Sequence, residues 1–310
     1  MNEEHRIRCF LCGSEQYDEF NRLESFGYPL VYYQCDHCGL IFQSAEANQA
    51  VDTDFYSETY RQIYQASTEP TAKDLWVQEN RALALVSLLR TLKIQPRERI
   101  LDIGASTGLL LETFRETILA PAGPGRMDTL NGGEVVGVEP GDAYRAHAEG
   151  RGLKMYPSVD QLIESYPHKF DLISMIHVLE HLPDPVGMLK RIRENLLKDH
   201  GVLLLEVPNF YAHDSYELAH LACYTPHTLQ QVLRQAGYHV FFFQRHGFPR
   251  SSFLNLYLTL LAQPLPADAP LTPVKRDRMV RCKRRAGFLY RRGVEKLFPD
   301  KAWLPLPDVE

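Results

Sequence analysis

The chain lacks any apolar run long enough to span a bilayer, and its start, Met1-Asn2-Glu3-Glu4-His5-Arg6, lacks the apolar stretch of a secretory signal. A cytoplasmic protein is therefore expected. A disulfide framework is missing too: of six cysteines, four fall into two C-x-x-C pairs and only Cys223 and Cys282 remain, which suits a reducing compartment. There is no internal repeat and no long low-complexity tract, so a solenoid or a largely disordered chain is excluded. The H-E-x-x-H order of zinc hydrolases is absent as well. What is present, 310 residues of ordinary apolar content, suffices for one large core with small additions.

A strand-like run, Ile100-Leu101-Asp102-Ile103, empties into a glycine loop, Gly104-Ala105-Ser106-Thr107-Gly108, ahead of an apolar helix from Leu109 to Phe114. Glycines let the main chain approach a ligand closely, and the unpaired amides of the helix's first turn favour a carboxylate or phosphate. Asp102 selects among ligands. A buried strand-end carboxylate repels a pyrophosphate, whereas in S-adenosylmethionine (SAM) it faces an ammonium and a sulfonium. The G-x-G-x-x-G pattern of dinucleotide sites also fails, because Ser106 and Leu109 stand where the later glycines belong.

Further strands complete such a site. Glu134 to Pro140 reads as a buried strand ending in Glu139, a carboxylate able to accept two hydrogen bonds from a ribose diol. Phe170 to Ile176 is another, and the run His177-Val178-Leu179-Glu180-His181-Leu182-Pro183-Asp184-Pro185 at its carboxyl end puts His177 in the ligand crevice of an open parallel sheet. Asp184 and Pro185 start a helix through Leu196, and Gly201 marks a turn into Val202 to Asn209. Thr225-Pro226 opens a helix ending near Gly237, and His239 to Phe243 is a further strand. Ahead of the sheet, Leu75, Trp76, Ala82, Leu83, Val86 and Leu89 give a helix from Ala72 to Leu92 a broad apolar face.

From Trp76 to Phe243, about half of the chain, the sequence resembles the class I SAM-dependent methyltransferases. The matching pieces are Leu101-Asp102-Ile103-Gly104, Gly108, Glu139, the His177-to-Pro185 run and Glu206-Val207-Pro208-Asn209. Together they look like the subgroup of sugar C-methyltransferases and surface-glycan methyltransferases. The resemblance implies an α/β fold with a Rossmann-like seven-stranded sheet and helices on both faces, with Asp102, Gly104, Gly108, Glu139 and His177 as cofactor-binding residues. One departure is an insertion holding Pro121-Ala122-Gly123-Pro124-Gly125 and Asn131-Gly132-Gly133, which sets Glu139 farther from the loop than the roughly twenty residues usual in such folds. By the same resemblance, Tyr56 and Tyr60 sit in a region that closes over cofactor or substrate; simple aromatic packing explains them equally well.

The amino terminus carries Cys9-Phe10-Leu11-Cys12-Gly13 and Cys35-Asp36-His37-Cys38-Gly39. Four thiolates in two knuckles suit tetrahedral zinc, and the glycines permit the turns that aim amides at sulfur. A small zinc ribbon with structural Zn2+ on Cys9, Cys12, Cys35 and Cys38 is expected, because four cysteines leave no open coordination position. The first fifty residues are acidic, which opposes nucleic-acid binding by this module. The tail is basic from Lys275 to Lys296 with apolar residues interleaved. It reads either as an amphipathic helix on an anionic membrane surface or, preferably, as a helical tail packed on the catalytic domain with its charges in solvent.

Methyl transfer needs a nucleophile held in line with the methyl group and, for a hydroxyl or acidic carbon, a general base. Candidate catalytic bases are His181 and His220. If His177 to His181 were helical, the two imidazoles would share a face, yet no further metal ligand is evident. In the sugar C-methyltransferases that the chain resembles, a Glu-His pair manages protons at the acceptor carbon; here Ala219 stands in place of the glutamate before His220. The expected organisation is a zinc-binding module over 1–50, a helical linker and lid over 51–95, a SAM-binding methyltransferase domain over 96–263, and a Pro-rich linker with basic helical tail over 264–310. The expected function is methyl transfer to a small-molecule or glycan-linked acceptor. Its rivals are an RNA methyltransferase, against which the acidic module and the missing Asp/Asn-Pro-Pro-aromatic motif after Asp171 both weigh, and a non-catalytic SAM-binding partner protein.

Overall fold

The computed structural model describes residues 8–25, 27–43, 70–95, 98–119, 133–266 and 268–306. Tyr56, Tyr60 and the insertion from Pro121 to Gly132 lie outside them. The chain begins with β1 (Tyr17–Ser25), β2 (Tyr28–Cys35) and β3 (Ile41–Gln43), followed by α1 (Ala72–Thr91). Then come β4 (Arg99–Ile103), α2 (Leu109–Thr117), β5 (Glu134–Val138), α3 (Asp142–Gly150), β6 (Lys154–Tyr156) and α4 (Val159–Ser165). These lead to β7 (Phe170–Ile176), α5 (Pro185–Asn195), β8 (Leu197–Pro208), β9 (Ala222–Cys223) and α6 (Pro226–Gln235). The last elements are β10 (Tyr238–His246), β11 (Tyr257–Pro264), α7 (Val280–Leu297) and α8 (Pro299–Ala302).

Local chemistry sets the helix starts. Thr71 and Asp74 form a reciprocal capping box on α1, Asp184 caps α5 with Pro185 in its first turn, and Thr225 with Pro226 does the same for α6. The turn expected at Gly201 does not form. Instead β8 starts at Leu197, opposite Phe170, and runs through the glycine, which lies in a register shift before pairing with β7 resumes at Val202, opposite Leu172.

Seven strands order as β10-β11-β8-β7-β4-β5-β6. Five are parallel, and β11 enters antiparallel between β8 and β10. Apolar residues cover both faces: Leu85 and Leu89 of α1 with Leu111 and Phe114 of α2 on one side, Leu162 of α4, Leu189 and Ile192 of α5 and Leu229 of α6 on the other. Because β4 lies between β5 and β7, chain connections leave in opposite directions from its carboxyl end and open a crevice there.

The smaller sheet is β1-β2-β3-β9, so its fourth strand is supplied from far along the chain: Ile41 pairs with Cys223 and Phe42 with Ala222. Cys9, Cys35, Cys38, Leu40 and Phe42 join the same core cluster as β4 and β7 residues, so the cysteine module is packed onto the seven-stranded sheet.

The tail packs on the domain as expected, but three of its arginines do not face solvent freely. Arg281 stacks on Phe20, Arg284 on Phe210 and Tyr216, and Arg291 on Trp303, while their guanidiniums also donate to backbone carbonyls. Planar guanidiniums lose little on leaving water against aromatic faces, so charge here is a docking device. Among the described residues, no helix is long and apolar enough to cross a membrane.

Candidate functional site

The crevice beyond β4, β5 and β7 holds a cavity of about 560 Å³, within the range of small-molecule sites. Its walls are Asp102 to Ser106, Val138 to Pro140, Met175 to Val178 and His181, roofed by Lys73, Gln78 and Arg81 of α1 and by Arg250. Gly104 has φ +78°, and a β-carbon there would come 2.3 Å from Val178 Cγ2, so only glycine fits between the loop and the His177 run. Gly108, at φ +79°, caps α2 and would collide with Leu153 at 2.3 Å. It does not line the cavity; it shapes the loop through packing.

Asp102 is buried and accepts a hydrogen bond from the Ser174 hydroxyl at 2.6 Å. Burial pushes its carboxyl up to about 7, aided by the charge of Glu139 and opposed by Ser174. Glu139 ties two loops together, accepting the Ser106 and Gly141 amides at 2.9 Å each. Thr107 donates to Gln78 at 2.5 Å and stitches α1 to the glycine loop. A main-chain cradle, a buried strand-end acid and a second acid at the next strand's end form a donor and acceptor set that fits SAM.

The histidines separate into two groups. Only Leu179–His181 coils, as a 3₁₀ turn, and His177 sits at φ +56°, so the shared helical face of His177 and His181 is not formed. His177 turns to Glu180 Oε1 and Glu206 Oε1, 3.3 Å from each. Burial and the Arg81 charge oppose its protonation, but those carboxylates prevail and raise its pKa. His181 lies instead against His220, ring centroids 4.9 Å apart. Ligating atoms of Glu180, His181 and His220 all fall within 4.8 Å of one another.

Carbonyl oxygens only accept, so the contacts of His181 Nδ1 with Ala219 O (2.9 Å) and of His220 Nδ1 with Ser215 O (3.2 Å) place the proton on Nδ1 in both rings. Nε2 is then the basic nitrogen. Burial lowers His181 to about 4 and also lowers His220, so both rings are neutral near pH 7. Glu217 stands 3.6 Å from His220 Nε2, and burial raises it to about 7. A glutamate therefore flanks His220 although Ala219 occupies the preceding position. His181 lines the cavity, whereas His220 stands behind it.

Sequence reasoning missed the cluster behind His177. Glu206 is fully buried, with Arg81 at 3.0 Å, His246 at 3.3 Å and the Thr259 hydroxyl at 2.7 Å. Arg81, beside Leu85 at the edge of the buried face of α1, was the available signal, since a charge held there requires a partner.

At the amino end, Cys9 and Cys38 sulfurs are 3.4 Å apart and those of Cys12 and Cys35 3.6 Å, with all four within 4.8 Å. Tetrahedral bonds of about 2.3 Å imply sulfur separations of about 3.8 Å, so the cluster has the size a zinc ion requires. Gly13 and Gly39, both at positive φ, return their amides to the Cys9 and Cys35 carbonyls, and the Leu40 amide reaches Cys38 Sγ at 3.4 Å.

Residues 77–241 match the family model described as a methyltransferase domain. Ubiquinone biosynthesis O-methyltransferase of Actinobacillus pleuropneumoniae is 30% identical over 119 residues, covering 36% of this chain and 46% of that protein. Its counterpart in Histophilus somni is 32% identical over 119 residues, covering 36% of this chain and 45% of that protein. The matched stretch thus spans about half the length of these curated relatives. The solved 1,6-didemethyltoxoflavin-N1-methyltransferase of Burkholderia thailandensis superposes with a TM-score of 0.50 at 17% identity, covering 80% of this chain and all of that one, and so shares the fold. With its seven-stranded sheet and glycine-loop crevice, the chain belongs to the methyltransferase domain family.

Proposed function

We propose that the protein methylates a small-molecule or glycan-linked acceptor, a sugar hydroxyl or carbon being the first to try, with His181 as general base. One observation carries this reading: a neutral imidazole, its proton fixed on Nδ1, lines the same cavity as the glycine loop and Asp102. SAM, when bound, supplies an electrophilic methyl group. Asp102 would face its ammonium, Gly104 would shape the main-chain cradle with Gly108 packing behind it, Glu139 would hold its ribose, and His177 would line the wall beside it.

The chemistry balances without a redox step. A lone pair on the acceptor atom forms the bond to the methyl carbon, the carbon–sulfur pair stays on sulfur, and the acceptor's proton passes to His181 Nε2. His220, with Glu180 and Glu217 around it, would position that ring and take charge from it. The cysteine cluster would hold structural zinc, with the four-part division at 50, 95 and 263 as the domain plan. Ubiquinone-pathway O-methyltransferases, among the relatives, support oxygen methylation of a small acceptor.

The test is transfer of labelled methyl from SAM into lysate separated into nucleotide-sugar, lipid-linked, small-molecule and RNA pools. Label in a sugar, lipid-linked or small-molecule pool is expected. Label confined to RNA would overturn the acceptor class.

A further inference from the structure

α7 turns three of its arginines, Arg281, Arg284 and Arg291, onto aromatic rings of the protein and leaves large apolar side chains uncovered on its outer side. Leu289 is 66% exposed, Leu297 70% and Tyr290 56%, and Phe298 follows at 51%. They continue into the neighbouring loop, since the Phe298 ring lies 5.5 Å from that of Phe253, itself exposed, and the Tyr290 hydroxyl donates to the Phe253 carbonyl at 3.3 Å. Helical spacing sets Arg285, Arg292 and Lys296 along one flank of this strip, all exposed. The single acid of the helix, Glu295, is turned inward to Arg291 and to the Trp303 indole. Beyond the helix, Asp300 and Lys301 are both exposed and offset one another.

We infer that the outer face of α7 docks on an anionic bilayer surface, with Leu289, Tyr290, Leu297 and Phe298 entering the headgroup boundary and Arg285, Arg292 and Lys296 meeting lipid phosphates. A cationic flank without a carboxylate beside an uncovered apolar strip is complementary to a negatively charged amphiphilic surface. A second copy of the chain would offer the same cations and repel it. The surface also adjoins the catalytic cavity through a short path: Trp303 stacks between Arg291 and Arg250, the Leu304 amide donates to the Arg250 carbonyl at 2.9 Å, and Arg250 lines the cavity. Docking there therefore brings the cavity wall near the membrane. The inference concerns attachment and stands apart from the identity of the acceptor.

The experiment is sedimentation of the full chain with vesicles of phosphatidylglycerol and phosphatidylcholine, against vesicles of phosphatidylcholine alone. Binding to the anionic vesicles is expected, weakening steeply with added salt. The Arg285→Gln, Arg292→Gln double variant should partition on the order of 30-fold more weakly, and Leu289→Asp with Leu297→Asp should abolish binding. All four side chains are exposed, so unchanged thermal unfolding and unchanged calorimetric SAM affinity serve as folding controls. No binding by the unmodified chain, or equal binding by both double variants, would overturn the inference. So would a dimer in solution that Leu289→Asp, Leu297→Asp converts to monomer, since the face would then belong to a second copy.

Discussion

Among the described residues, two tight clusters of donor atoms each fit within 4.8 Å: the thiols of Cys9, Cys12, Cys35 and Cys38, and the Glu180, His181, His220 group. The first is made of one soft ligand type and is closed on itself. The second mixes carboxylate and imidazole, has its two rings tied to the backbone carbonyls of Ala219 and Ser215, and has one member, His181, in the wall of a cavity. Closure suits holding a fold together; an open member suits proton transfer. On the proposed reading, similar compactness would serve opposite ends, with access to the cavity separating them.

The largest effect should come from the closed cluster. Replacing Cys35 and Cys38 with serine should remove one equivalent of zinc by elemental analysis. Since structural zinc contributes on the order of 10 kcal/mol, it should also collapse cooperative unfolding. An unchanged melting temperature would separate the cluster from the fold. Next, His181→Asn should lower kcat by about 10²–10⁴-fold while leaving zinc content and calorimetric SAM affinity as they were. Turnover within threefold of the unmodified chain would take the base role from His181.

Smaller is the loss expected for Glu139→Ala. Its carboxylate anchors two amides beside the cavity, so SAM affinity should drop roughly 10- to 100-fold with the fold intact, read by calorimetry and circular dichroism. The smallest effect is in pH dependence. Burial holds Asp102 at about 7, so in the free enzyme it becomes neutral as pH falls through that value and its attraction for an ammonium fades. Affinity for SAM should therefore decline below pH 7, by at most about tenfold per unit, and Asp102→Asn should flatten the profile at a weaker level. His181 sits near 4 and stays neutral over the same interval, so turnover at saturating SAM should show no limb near pH 6.5. A limb there that persists in Glu217→Gln and His177→Gln variants would mean that burial does not control the His181 ring.

Much of the fold was legible because its signals are local. The strand-to-glycine junction at Asp102 to Gly108, the Pro185 and Pro226 helix starts, and the paired C-x-x-C knuckles each occupy a few consecutive residues. The His cluster was only half legible. His181 and His220 are 39 positions apart in the numbering, and no periodicity announces that a turn at Leu179 and a bend before β9 bring them together. Gly201 misled for a related reason: it falls in a register shift inside one continuous strand, held on either side by the Leu197–Phe170 and Val202–Leu172 pairs. The arginines of α7 escaped prediction because stacking on Phe20, Phe210 and Trp303 depends on rings from three distant segments.

The two-residue strand β9 has a bearing on descent. Buried Gln43 reaches the carbonyls of Glu217, Leu218 and His220 at 2.5–2.9 Å, and the Tyr32 hydroxyl meets both the amide and the carbonyl of Glu217. The loop that presents His220 is thus clasped by the amino-terminal module. A recombination that exchanged residues 1–43 for another ribbon would leave one half of a hydrogen-bonded seam without its mate. A substitution on one side of this seam therefore changes what the other side meets, which couples the two parts of the chain as units of descent.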